Sequence, residues 1–177
     1  LARGAALGVL EPLLELGPAL CAAVAGGQLS AEDSGALDVV AAVLEAALSV
    51  DAHAVVAQAD TVLAALPRAH RSAGMARVLR MRAHALGRTG QMDAAVPPLV
   101  SAVATANAVA APALAALALV DLGRAAEARG EVDAALTAYA DATALGAGTG
   151  PGEEAAVWLA PLGTAARPND PSANVTS

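Results

Sequence analysis

The chain has 177 residues, 56% of them hydrophobic, with 10 Lys+Arg against 17 Asp+Glu for a formal charge of −7. That length suits one domain or a short array of repeats, and the apolar fraction excludes a mainly disordered chain, which lacks the buried area to offset its conformational entropy. An acidic chain also repels a polyanion, so sequence-independent nucleic-acid binding, in which Lys and Arg displace counterions, is not expected.

The interior is constrained by what is missing. There is no Phe, one Trp (Trp158) and one Tyr (Tyr139), so the core has to be Leu, Val and Ala, which favours thin, close-packed helices over bulky sheets. All ten basic residues are Arg, and the absence of Lys beside so much Ala, Gly and Val is the composition of a high-GC, actinobacterial type of genome. The chain begins at Leu1 and no secretory n-region precedes the first apolar stretch, which fits a processed or excised piece with the cytoplasm as its expected compartment.

Apolar residues follow a 3.6-residue period and no stretch shows the β-branched alternation of a strand, so an all-α fold is expected. Helices are predicted near residues 3–25, 35–49, 52–65, 72–88, 92–106, 113–129, 132–145 and 153–166. Gly26 and Gly27 end the first, within an N-terminal segment of helix and linker over 1–33. Cys21, set among Ala19, Leu20, Ala22 and Ala23, is expected to be a buried, inert thiol. Pro67 stops the third helix and Pro112 opens the sixth. Gly90 and Gly130 supply turns, and Asp93 and Asp133 fall in the first turn of the following helices, where a carboxylate meets the positive dipole end. Residues 167–177 read as a disordered tail. Val96 to Val120 carries no charge over 25 positions, long enough to cross a bilayer. Its Pro97, Pro98, Asn107 and Pro112 instead point to two packed helices with a break, and no membrane partner is expected.

The sequence repeats with a 40-residue period. Gly90-Gln91-Met92-Asp93-Ala94-Ala95 recurs as Gly130-Glu131-Val132-Asp133-Ala134-Ala135, and Leu122-Gly123 recurs as Leu162-Gly163. Ala83 aligns with Gly123, Leu99 with Tyr139 and Ala102 with Ala142, small with small and large with large. The clearer copy reads Leu119, Leu122, Gly123, Gly130, Ala135, Tyr139, Ala142; the earlier one reads Leu79, Ala83, Leu86, Gly90, Ala95, Leu99, Ala102. A third starts at Leu159, Leu162, Gly163, and residues 34–65 form a more degenerate one with no turn glycine.

These positions resemble the tetratricopeptide repeat, in which a large residue, Leu-Gly, a turn Gly and a later Ala, aromatic and Ala recur along a helix-turn-helix. The resemblance implies a right-handed α-α superhelix over 34–166, in copies of approximately 34–71, 72–111, 112–149 and a partial 150–166. Gly123 and Ala135 would let antiparallel helices approach, Tyr139 fill the gap and Ala142 admit the next repeat. The period is longer than the family's usual 34, and neither complete copy has the terminal proline. With its longer, Ala-rich, loosely matching repeats the chain is similar to the repeat regions of large ATP-binding bacterial regulators of the LuxR type, which sense or dock while separate domains bind ATP and DNA. With no Lys a Walker-type phosphate loop cannot form, so the resemblance implies a non-catalytic sensor or docking portion of a transcriptional regulator.

No catalytic residue, metal ligand or cofactor is assigned. Gly146-Ala147-Gly148-Thr149-Gly150-Pro151-Gly152 has the glycines of an anion-cradling loop, but no strand precedes it and Glu153-Glu154 follow it, so it reads as an inter-repeat linker. His53, His70 and His84 have no metal-ligand spacing. Charge segregation stands out. Residues 4–67 hold eight acids and no base, whereas 68–88 hold six Arg and no acid. Arg77, Arg80, His84 and Arg88 fall on one helical face. In the tetratricopeptide reading that face lines a groove where an acidic protein or peptide is held by guanidinium contacts. In the plainer reading the arginines pair with neighbouring acidic helices. The alternative functional class is a small-molecule-binding helical domain, or a small helical enzyme, using the same face for an anionic ligand. A homo-oligomer built through the Ala-rich helices is a third expectation.

Overall fold

Ala and Leu are strong helix formers, and both recur in every helix of this chain. A computed structural model describes residues 17–26 and 34–165. Among the described residues every regular element is an α-helix. In chain order these are α1 (residues 17–25), α2 (Ser34–Leu48), α3 (Ala52–Ala65), α4 (Ala73–Arg88), α5 (Met92–Ala108), α6 (Pro112–Ala128), α7 (Val132–Leu145) and α8 (Gly150–Ala165). The first part of the helix expected over 3–25, through residue 16, the linker through 27–33 and the tail over 167–177 lie outside the described residues.

The helix boundaries have local causes. Asp51 accepts from the Ala54 amide at 3.0 Å and Ser72 from the Met75 amide at 3.1 Å, capping α3 and α4. Leu66, held extended ahead of Pro67, closes α3, and Pro112 opens α6. Pro97 and Pro98 lie inside α5. The carbonyls they leave without a helical donor, those of Asp93 and Ala94, belong to exposed residues that water reaches. The charge-free stretch 96–120 is therefore two helices, and no helix among the described residues is long and apolar enough to cross a membrane.

Three of the turns are the same turn. Gly90, Ala110 and Gly130 adopt positive φ (80°, 53° and 77°). After each, the next amide reaches back five residues: Gln91 to the Leu86 carbonyl, Ala111 to Ala106 and Glu131 to Ala126, all at 2.9 Å. This left-handed closure ends α4, α5 and α6 in the same way. The break expected between two helices at Val109–Ala111 is thus made by an alanine in a glycine's conformation. The glycine-rich segment after α7 is a linker only over residues 146–149. Gly150-Pro151-Gly152 forms the first turn of α8, and a Cβ on Gly152 would lie 2.2 Å from the Gly146 carbonyl oxygen, so two backbones cross there.

Each of α4, α5, α6 and α7 packs on its successor, and α4 and α8 also lie against α2 and α6 respectively. The helices touch where one is nearly bare. A Cβ on Gly123 of α6 would fall 2.4 Å from the Tyr139 ring of α7, and one on Gly74 of α4 would fall 2.5 Å from Leu37 of α2. Ala135, Ala142 and Tyr139 are buried together, as are Ala83, Ala95 and Leu99 one register earlier, while Ala102 packs with Leu79 and Ala118. Leu122 is half-buried against that earlier cluster. A separate cluster joins Cys21 and Val24 of α1 to Leu37, Leu44, Val55, Val62 and Val78, and burial pushes the Cys21 thiol pKa up.

Two predictions follow from this geometry. Gly123→Ala forces a methyl into the Tyr139 ring and is expected to lose about 1–3 kcal/mol of stability in urea unfolding. Combining it with Tyr139→Leu recreates the Ala83/Leu99 pairing of the earlier register, and the double-mutant cycle should show a coupling of about 1 kcal/mol or more. At the turns the signs are opposed: Ala110→Gly should raise the melting temperature, whereas Gly130→Ala should cost about 1–2 kcal/mol.

Candidate functional site

Helix α4 lies between α2 and α6, so an arginine on its outward face meets both. Arg77, Arg80, His84 and Arg88 occupy the single face that the sequence spacing requires, but their surroundings differ. Arg77 pairs with Asp38 of α2. Arg80 Nε donates to Asp121 Oδ2 of α6 at 2.7 Å, and His84 Nε2 donates to the same oxygen at 2.9 Å. Arg88 is exposed and has no ion-pair partner among the described residues. Arg82, on the other side of α4, pairs with Asp60 of α3 at 2.5 Å.

The pairs form a ladder. Asp38 on α2 meets Arg77 on α4, Arg80 on α4 meets Asp121 on α6, and Arg124 on α6 meets Glu154 on α8. Each of the two middle helices offers one group backward and one forward, three residues apart. The rungs are unequal. The side chains of Arg77 and Asp38 are 45% and 41% exposed, whereas those of Arg80 and Asp121 are 13% and 6% exposed. The first contributes about 0–1 kcal/mol; the second is a buried charge pair whose loss of one partner strands the other. Burial alone would raise the Asp121 pKa, but the His84 hydrogen bond and the Arg80 charge outweigh it and hold that carboxyl below the usual aspartate value.

Asp121 was not singled out by sequence reasoning. Its signal was present as the one acid inside an otherwise apolar run from Leu114 to Leu122, a position that a charge occupies only with a partner. The acids and bases found segregated along the chain are brought together across helices at Asp38, Asp60 and Asp121, which gives three of the six clustered arginines an intramolecular partner.

Two cavities flank the Asp121 cluster. One is a groove of about 590 Å³ among α2, α4 and α6, bordered by Asp38, Glu45, Arg77, Arg80, Leu114 and Leu117. The other, of about 350 Å³, lies toward the C-terminal end of α4 against α5 and α6 and includes His84, Arg88, Leu99, Asp121 and Arg124. No cluster of three or more His, Cys, Asp or Glu side chains that could hold a metal occurs among the described residues. His53 is exposed, and His70 Nε2 lies 2.9 Å from Ser72 Oγ, beside the α4 cap. At the far side of α6, Tyr139 donates to Glu127 at 2.8 Å. Burial and that carboxylate push the phenol pKa above the ordinary tyrosine range.

Asp121→Ala is expected to lose about 3–5 kcal/mol, since it leaves Arg80 buried without its carboxylate. Arg77→Ala should change stability by no more than about 1 kcal/mol. A depressed folded-state pKa for Asp121 means that its contribution is present above the ordinary value of 3.8 and is lost as pH falls through the folded value. Acid unfolding followed by circular dichroism should therefore show a stability loss below about pH 4 that is smaller in Asp121→Asn.

Comparison with protein-family models, with curated proteins and with solved structures finds no match for this chain.

Proposed function

We propose that this chain is a non-catalytic helical-repeat scaffold that binds a protein or peptide, stacked in the right-handed manner of tetratricopeptide arrays and serving as the sensor or docking portion of a bacterial transcriptional regulator. The regulator role rests on the resemblance of the 40-residue repeats. The observation that carries the binding role is the groove of about 590 Å³ running between α2, α4 and α6. It combines apolar walls (Ala41, Leu114, Leu117) with charged groups that are cheap to re-pair. Helices α2, α4, α6 and α8 begin at residues 34, 73, 112 and 150, which is the near-constant spacing that lays successive first helices side by side.

An acidic partner enters this groove by exchange. Its carboxylate takes the Arg77 guanidinium from Asp38, and because that pair is exposed the exchange costs about 0–1 kcal/mol. Arg80 does not take part, since it is committed to Asp121. A selection from a random displayed-peptide library against the full chain should enrich sequences with Asp or Glu among apolar residues. Asp38→Asn should tighten the selected peptide and Arg77→Glu should weaken it roughly tenfold or more, with the melting temperature within a few degrees of wild type. Enrichment of peptides without acids, or affinities indifferent to both substitutions, overturns the reading.

A further inference from the structure

The 40-residue register places a ring in one copy and a shorter side chain in the other. In the later copy Tyr139 fills the space between α6 and α7: its ring lies against Gly123, and its hydroxyl reaches Glu127. The positions forty residues earlier are Leu99, Ala83 and Gly87. Leu99 is shorter than tyrosine, and Gly87 has no side chain where Glu127 receives the phenol. All three line a cavity of about 350 Å³, together with Met92, whose end lies against Gly87.

Its mouth carries an excess of positive charge, in a chain of net charge −7. Arg88 and Arg124 both border it. Asp121 is already held by Arg80 and His84, and Arg124 shares its charge with exposed Glu154. Arg88 has no carboxylate within ion-pair distance among the described residues. Ligand cavities run from roughly 300 to 1,000 Å³, so this one has room for a single-ring body.

We propose that the cavity is a binding site for a small organic anion with a single-ring apolar body, namely an aromatic or alicyclic carboxylate. The ring lies against Ala83 and Leu99 in the cavity, and the carboxylate meets the Arg88 guanidinium, which suits bidentate pairing. The assignment goes beyond the scaffold reading and does not rest on it, because the groove uses Arg77 and the cavity uses Arg88.

The test is calorimetric titration of the full chain with phenylacetate and cyclohexanecarboxylate, with phenylacetamide as the uncharged control and acetate as the ringless one. The guanidinium carbon of Arg124 sits 5.2 Å from the centre of the Trp158 ring, so fluorescence of this single tryptophan gives a second readout. The expected result is saturable binding of the two ring carboxylates, with both controls weaker by roughly tenfold or more. The double variant Ala83→Gly with Leu99→Tyr, which copies the Gly123/Tyr139 pair into the cavity, should abolish binding while melting no lower than wild type. Arg88→Ala should bring phenylacetate down to the affinity of its amide while leaving acidic-peptide binding in the groove unchanged. Absence of saturable binding by either carboxylate, an amide that binds as well as the acid, or an Arg88→Ala variant with wild-type affinity overturns the proposal.

Discussion

Two helices come close only where one of them presents almost no side chain, and this chain depends on that condition throughout. Its core has no Phe and only one buried aromatic ring, that of Tyr139. Stabilisation has to come from many short-range contacts between thin surfaces, each small and jointly large. Gly123 receives Tyr139, Gly74 receives Leu37 and Ala83 lies beside Leu99. Where the donor side shrinks from Ala to Gly, the acceptor side grows from Leu to Tyr, so the volume of the helix pair is conserved while its shape changes. The turns serve the same end, since a single left-handed residue followed by a backward-reaching amide returns the chain in the least possible length.

Electrostatics then fix which helices are neighbours. Packing among alanines is permissive, because a small apolar residue fits almost any other small apolar face. A charge pair is not permissive when it is buried. The cluster of Arg80, His84 and Asp121 sets the offset between α4 and α6, and the exposed pairs on either side extend it to α2 and α8. The arginine face of α4 is therefore divided by burial. Its centre is a buried charge cluster, while Arg77 pairs with Asp38 at an exposed site and Arg88 is exposed.

The helices and their ends were largely legible in the sequence because their causes are local. Pro67, Pro112, Gly90 and Gly130 act on the residues beside them, and the 3.6-residue period survives even in an alanine-rich chain. The size-matched positions at Gly123, Ala135 and Tyr139 were visible for a similar reason, since a repeat writes the same packing solution twice. The turn at Ala110 was less legible, because nothing in an Ala-Ala-Pro sequence announces a positive φ. The partners of the arginines were hidden for a different reason. Asp121 lies 41 residues from Arg80, just past the charge-free stretch 96–120, and only the packing of α6 near α4 brings the two groups together. The glycines after α7 were legible as a linker over 146–149, but not as the opening turn of α8 at 150–152, because the residues that permit a linker also permit the tight backbone approach of Gly146 and Gly152.

The burial of Asp121 also bears on how the molecule comes apart. Helices in this chain mostly touch their sequence neighbours, so opening one end removes few contacts from the other. The bond that is hardest to break sits between α4 and α6, in the middle, and the weaker ones lie outside it. Backbone amides of α8 should therefore exchange their hydrogens with solvent long before those of α4 and α6, whereas α2, held to α4 by a broad cluster of buried aliphatic side chains, stays with the centre as that flank frays.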